Sequence, residues 1–252
     1  MIRKKVVFFD LGETLIELSS FKSSMHNTLK KHLSQPALDF DEVLIRWGHE
    51  THRLFIKHRE GDFIDIITMH FLSLKNILKT YDINITDELA QIIANDVWQD
   101  FIRNNKLCLD VMNTLNQLKQ SGYKLGLITD SDLDIVNGII QKHKLKNYFE
   151  TIIVSSELEV YKPNLSLFNE AIKSAKCSPD EALYVGDSEM DIKGAVEVGM
   201  TTVIINRNEI PMPKIGIKPD FKINSLLELP KIMSEINNKK SVPGDRYESI
   251  IN

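Results

Sequence analysis

The sequence predicts an α/β fold, a doubly wound parallel sheet with an inserted helical cap domain, and three observations point to it. Five short apolar runs, residues 6–9, 124–128, 151–154, 182–185 and 201–205, are continuous and rich in Val and Ile, as strands buried on both faces of a parallel sheet should be. Helical periodicity fills the gaps between the later runs, giving the strand–helix alternation that a parallel sheet requires. The segment 17–106, directly after the first run, shows helical periodicity and no good strand.

Residues 6–9 form the first strand and end at Asp10. In 17–106 the periodicity predicts four helices, 21–33, 40–58, 63–80 and 87–103, the last behind the N-cap Thr86, with Pro36 and Gly61 as punctuation. Its position after the first strand makes this block an insertion. The predicted division is a core of 1–16 and 107–236, a cap of 17–106 and a tail of 237–252. A helix over 109–120 returns the chain to the second strand. Helices over 133–143, 165–175 and 192–198 separate the later strands, with Gly199 as a C-terminal stop. Residues 221–236 give one more strand and helix, and the polar tail, with Pro243-Gly244, is expected to be weakly ordered.

With 252 residues, 42% of them hydrophobic, the chain is long enough for a full core. Its 31 Lys+Arg and 35 Asp+Glu give a net charge of −4, so charge supplies no reason to expect nucleic acid. The basic start, Met1 to Lys5, is followed by only about four apolar residues, too few for a signal h-region. No stretch approaches a membrane span. The expectation is a cytoplasmic protein with no membrane partner, in which Cys108 and Cys177 are small core residues rather than a disulfide. The sequon Asn164-Leu165-Ser166 then carries no weight.

In open α/β sheets, ligands bind outside the carboxyl ends of the strands, so the residues after each strand are the informative ones. They are Asp10, then Thr129-Asp130-Ser131, then Ser155-Ser156 with Lys162 soon after, and Gly186-Asp187-Ser188. Asp187 and Asp191, in "VGDSEMD", offer oxygen ligands suited to a hard cation such as Mg²⁺. The simpler alternative, an acidic helix N-terminus satisfying the dipole, loses ground once Asp10 stands at a neighbouring strand end. An aspartate can be a covalent nucleophile. Phosphoryl transfer also needs its equatorial oxygens held and neutralised, work open to Thr129, Lys162, backbone N–H groups and Mg²⁺. Pro163 keeps Lys162 out of the following helix.

The stretches "FFDLGETL", "GLITDSD", "YKPNLSLF" and "VGDSEMDIKGAVEVGM" resemble the haloacid dehalogenase-like hydrolase superfamily, specifically phosphatase-like members with a helical cap after the first strand. The last stretch is similar to the phosphoglycolate phosphatase-like form. The resemblance covers nearly the whole chain and implies a Mg²⁺-dependent phosphomonoesterase acting on a small phosphorylated metabolite. It further implies that Asp10 is phosphorylated and that Thr129 and Lys162 hold the phosphoryl group, in a cradle that takes in Leu11, Gly12 and Asp130. Asp10, the carbonyl of Gly12, Asp187 and Asp191 would arrange the metal. Asp130 stands where many relatives carry asparagine.

Gly12 departs from the family pattern. Active phosphatases of the family carry a second aspartate there, which protonates the leaving alcohol and then activates water. Glu13 is no simple substitute, because neighbours in an extended segment point to opposite sides. Three readings follow. The acid comes from elsewhere, from Asp130, from Glu13 after a turn, or from the cap; or the scaffold runs another chemistry, as phosphonate-cleaving relatives do with a cap lysine, here Lys22, Lys30 or Lys57; or the chain binds phosphate without turning it over. Dehalogenase relatives work without metal and lack the "GDSxxD" stretch that is intact here. In the cap, His26, His49, His52, Arg53, His58 and Arg59 are candidate substrate contacts, and Trp47 and Trp98 read as cap core. The histidines of "HETH" stand three apart and not four, which excludes the zinc protease motif.

Overall fold

The computed structural model describes residues 3–33, 38–207 and 216–238. Strand β1 (Val6–Phe9) leads through a turn to β2 (Ile16–Glu17), then to four helices, α1 (Ser19–His32), α2 (Phe40–Arg59), α3 (Ile66–Lys79) and α4 (Asp87–Asn104). The chain returns through β3 (Lys106–Leu107) and α5 (Val111–Gln120) to β4 (Lys124–Thr129), α6 (Leu133–Lys142) and β5 (Phe149–Val154). After the single turn α7 (Ser155–Leu158) come α8 (Leu165–Ala175), β6 (Ala182–Gly186), α9 (Glu189–Glu197), β7 (Thr201–Ile205), β8 (Phe221–Ile223) and α10 (Leu229–Asn238).

Six strands form one sheet in the order β5-β4-β1-β6-β7-β8, every pairing parallel. The central strand β1 is buried on both faces, which its uninterrupted apolar run requires. Val6 and Phe8 pack on one side with Leu167, Phe168 and Ala171 of α8. Val7 and Phe9 pack on the other with Val111 and Leu115 of α5, Ile135 of α6 and Met233 of α10. The chain builds outward from β1 to β4 and β5, then crosses to β6. The order therefore reverses beside β1, and a crevice opens there at the carboxyl ends of the strands.

The four cap helices enclose a core of their own, with Leu29, Val43, Trp47, Leu74, Leu78, Ile93 and Val97 buried. Their starts are set by caps: Asp39, Asp65 and Thr86 each accept from backbone N–H groups of the first turn. Asp65 moves the start of α3 to Ile66, so Phe63, expected inside the helix, lies before it. The expectation that 17–106 holds no strand misses Glu17 and Lys106, which pair antiparallel as the ends of β2 and β3. This two-residue ribbon joins both crossings between sheet and cap, and it is too short to leave a periodic signal. Ser188 likewise starts α9 three residues before the expected position, by capping Asp191 N–H.

Helix α10 runs on into the expected tail as far as Asn238. Asn237 accepts from Lys4 N–H at 2.7 Å and donates to the Tyr123 hydroxyl at 2.9 Å. A polar side chain thus serves as a tie between the helix and the sheet. Pro36 and the remainder of the tail, 239–252, lie outside the described residues. Cys108 and Cys177 are both free thiols, and burial pushes Cys108 up to about 11. Among the described residues no helix is long and apolar enough to cross a membrane.

His70 sits inside the cap against Phe21, Trp47 and Trp98, its Nδ1 2.9 Å from Ile66 O. Burial holds it neutral and lowers its pKa to about 4. The unfolded chain protonates near 6.5, so between pH 6.5 and 4 it takes up a proton that the native state does not. The contribution of neutral His70 is complete above pH 6.5 and falls away with decreasing pH, by about 3 kcal/mol at pH 4. Urea unfolding at pH 7 and pH 4.5 is expected to show a smaller loss for His70→Leu than for the parent. Parallel losses would rule this account out.

Candidate active site

Four segments bring their polar residues to the crevice beside β1. Asp10 follows β1, Thr129 ends β4, Lys162 lies in the loop before α8, and Asp187 and Asp191 flank the start of α9. The Lys162-Pro163 peptide is cis. Lys162, 3% exposed, reaches Asp10 Oδ1 and Asp191 Oδ1 with its Nζ, at 2.6 Å each. Burial alone would lower this ammonium, but Asp10 and Asp191 together hold it well above its ordinary range.

Asp191 is the most fully engaged carboxylate of the set. Its Oδ1 accepts from Lys162 and, at 2.7 Å, from the Tyr184 hydroxyl, while its Oδ2 accepts from Ser188 N–H at 3.0 Å and Oγ at 2.6 Å. Burial would raise it, yet Lys162 and these hydrogen bonds keep it below the ordinary carboxylate range. Gly186 makes room for this arrangement: a Cβ there would stand 2.5 Å from Asp191 Cγ. Tyr184 and Ser188 carry no sequence signal of this role beyond their place in the "YVGDS" stretch.

Asp10 and Asp187 are less well neutralised. Burial raises Asp10 to about 7 against the pull of Lys162, and burial followed by the charges of Asp10 and Asp191 raises Asp187 to about 8. Ligand oxygens of Asp10, Asp187 and Asp191 all lie within 4.8 Å of one another. Three carboxylates face one ammonium, so the cluster lacks positive charge, and its oxygen-only donor set fits Mg²⁺. The four donors on Asp191 leave Asp10 and Asp187 as the oxygens most open to a cation.

Thr129 is buried at the end of β4. Asp130 Oδ1 accepts from Ser155 Oγ at 2.6 Å and Lys162 N–H at 2.9 Å. It therefore ties the lysine loop to the β4 loop, and burial raises its carboxyl. Leu11 is buried, and its carbonyl accepts from Leu15 and Ile16 N–H as the chain turns.

The turn overrides the extended geometry expected at Glu13. Glu13 takes a left-handed φ of 50°, and its carboxylate accepts from Leu18 N–H at 2.8 Å. It lines a separate cleft with Cys108, Asp110, Arg207 and Ser225. Arg207 braces the turn by donating to Glu13 O at 3.0 Å, Thr14 O at 2.6 Å and Asp110 Oδ2 at 2.9 Å. Gly12 needs no glycine for steric reasons, since a Cβ there would meet only the Leu18 side chain, at 3.6 Å.

The cap is pinned to the core on either side of these loops. Tyr161 packs against Phe55 and Phe63, with ring centroids 4.7 and 4.9 Å apart, and donates to Ile64 O at 2.7 Å. Asp132 accepts from Ile66 and Ile67 N–H, each at 3.0 Å, capping α3 from the core. Of the cap candidates, His49, His52 and Arg53 are exposed, and Arg53 pairs with Glu50. His26 packs against Phe40, and His58 Nδ1 lies 2.7 Å from Asp62 O. Lys22, Lys30 and Lys57 are exposed, so none is a buried amine suited to Schiff-base chemistry. Arg59 lines a cleft with Tyr161, Pro163, Met190 and Lys193. Trp47 is buried in the cap, donating to His70 O and Ser73 Oγ, and Trp98 packs on Phe21 and Phe101.

The family model for haloacid dehalogenase-like hydrolases matches residues 7–205. The chain is 25% identical over 237 residues to the pyrophosphatase PpaX of Bacillus thuringiensis strain Al Hakam, covering 92% of this chain and 97% of that one. In structure it is similar to the HAD-hydrolase YfnB of Bacillus subtilis bound to magnesium, with a TM-score of 0.76, 19% identity and coverage of 94% and 100%. The L-2-haloacid dehalogenase of Xanthobacter autotrophicus has a TM-score of 0.72 at 16% identity, with the same coverage.

Asp130→Asn keeps the acceptor that Ser155 and Lys162 use, whereas Asp130→Ala leaves both donors without it. Chemical denaturation is expected to place the Asn variant within about 1 kcal/mol of the parent and the Ala variant about 2–3 kcal/mol below it. Equal losses for the two would remove Asp130 from its bracing role.

Proposed function

Since the chain belongs to the haloacid dehalogenase-like hydrolase family, we propose that it is a Mg²⁺-dependent phosphatase that hydrolyses a small phosphorylated metabolite through an aspartyl phosphate on Asp10. The observation that carries this reading is the cluster of Asp10, Asp187 and Asp191 around a single Lys162. A site with three carboxylates and one ammonium calls for a divalent cation, and phosphoryl transfer uses one to neutralise the oxygens of the transferred group. The name of the pyrophosphatase relative supports chemistry at phosphorus. Dehalogenases share the fold, and the cation-demanding cluster favours phosphate over a haloacid.

Asp10 lies at the end of the fully buried central strand β1, held through Oδ1 by Lys162, which leaves Oδ2 as the attacking oxygen. Lys162 also faces the phosphoryl oxygens and offsets their charge, with Thr129 donating from the end of β4. Asp191, Tyr184 and Ser188 hold the ammonium in place. Asp187 and Asp10, with the carbonyl of Gly12, would hold Mg²⁺, which when bound supplies electrostatic stabilisation of the phosphoryl group. The cap, pinned through Tyr161 and Asp132, excludes bulk water. A second reading, phosphate binding without turnover, rests on the missing acid at Gly12.

Phosphate release from p-nitrophenyl phosphate separates the two. Turnover is expected in Mg²⁺, lost on chelation with EDTA, and reduced by more than about 10³-fold in Asp10→Asn, since the nucleophile is gone. A parent that binds phosphate yet never releases it from any ester favours the second reading.

A further inference from the structure

The phosphatase reading leaves the place of Gly12 without an acid, and the surrounding carboxylates answer for themselves one by one. Asp10 is the nucleophile and Asp187 faces the cation site. Asp191 holds four donors. Asp130 Oδ1 carries the Ser155 and Lys162 N–H bonds, and both oxygens of Asp132 cap α3. Glu13 turns to Leu18 N–H and into a separate cleft. His70 is enclosed by aromatic rings in the cap, and His49 and His52 are exposed on α2. Both oxygens of Asp191 and Asp132, the Glu13 carboxylate and Oδ1 of Asp130 are thus engaged by the donors named, and His70 is enclosed in the cap.

Resting on that reading, we infer that the site is specialised for phosphoryl groups borne on oxygens that leave without a proton, namely acyl phosphates and phosphoanhydrides. In the first step an Asp10 oxygen bonds to phosphorus as the bond to the leaving oxygen breaks. The electron pair departs on that oxygen, and the product is a carboxylate or phosphate already anionic at neutral pH. In the second, water attacks the phosphorus of the aspartyl phosphate, itself an acyl phosphate. Its P–O bond breaks to restore the Asp10 carboxylate, and the proton of water passes to the inorganic phosphate or to solvent. Neither step asks position 12 for an acid. A simple alcohol would have to depart as an alkoxide, which is the step that a general acid accelerates by about 10²- to 10⁴-fold.

The space at Gly12 admits the test, because a Cβ there meets only the Leu18 side chain, at 3.6 Å. Acetyl phosphate, inorganic pyrophosphate and glycerol phosphate are assayed in Mg²⁺ with the parent and Gly12→Asp, and the ratio of variant to parent kcat/KM for each probe cancels the probe's own reactivity and leaves out the later attack of water, which an aspartate would assist for every probe alike. The expected ratio lies within a few-fold of one for acetyl phosphate and pyrophosphate and reaches about 10² or more for glycerol phosphate. A second measurement needs no variant: across substituted aryl phosphates, kcat/KM of the parent is expected to fall steeply as the leaving group becomes more basic. A flat profile overturns the inference and leaves the hydrolase reading standing; loss of glycerol phosphate turnover in Asp130→Asn does the same and makes Asp130 the acid. A parent inert to every probe, and not phosphorylated on Asp10 by acetyl phosphate, overturns the hydrolase reading and this inference with it.

Discussion

The structure depends on one buried ammonium. Lys162 stands between Asp10 and Asp191 with almost no access to water, and breaking such a pair costs about 3–5 kcal/mol because it strands a buried charge. The sheet brings the carboxylates together by burying β1, β4 and β6 side by side, and the lysine makes that assembly tolerable. Its single charge does not balance three carboxylates. The surplus falls on Asp10 and Asp187, the two of the three whose pKa is raised. The same deficit that costs stability creates the demand for a cation.

The loops that carry the site also carry the cap. Thr129 ends β4, and Asp132 in the loop that follows it caps α3. Tyr161 precedes Lys162 directly and plugs the aromatic cluster of Phe55 and Phe63. Asp130 ties the two loops to each other. A displacement of the cap is therefore felt by both the β4 end and the Lys162 loop, and the β2–β3 ribbon joins the two crossings between sheet and cap. This geometry links closure to the placement of Thr129 and Lys162, a linkage suited to a reaction that must exclude water.

The turn after Asp10 shows how a local conformation redirects chemistry. With Glu13 left-handed and Arg207 holding the carbonyls of residues 13 and 14, the segment is clamped to the core before it enters β2. A Cβ at Gly12 would reach ordinary van der Waals contact with Leu18, at 3.6 Å. Neither the backbone conformation nor the space around the Cβ position requires glycine there.

The strands, most helices and the crevice residues were legible in the sequence, because a doubly buried strand needs a continuous apolar run and a switch point exposes the residues that follow it. Asp10, Thr129 and Asp187 could be named from strand ends, and Lys162 and Asp191 from the stretches that follow them. Short elements without a period, such as β2, β3 and α7, could not. Nor could the partners: that Tyr184 and Ser188 engage Asp191, that Asp130 is a brace, that Asp132 and Tyr161 grip the cap, and that Glu13 turns away. The sequence by itself determined which chemistry-bearing residues lie at the carboxyl edge of the sheet, since that follows from periodicity along the chain. Only the tertiary structure decided which oxygen faces which donor, because hydrogen bonds between residues 32 to 194 positions apart depend on distances that no local pattern encodes.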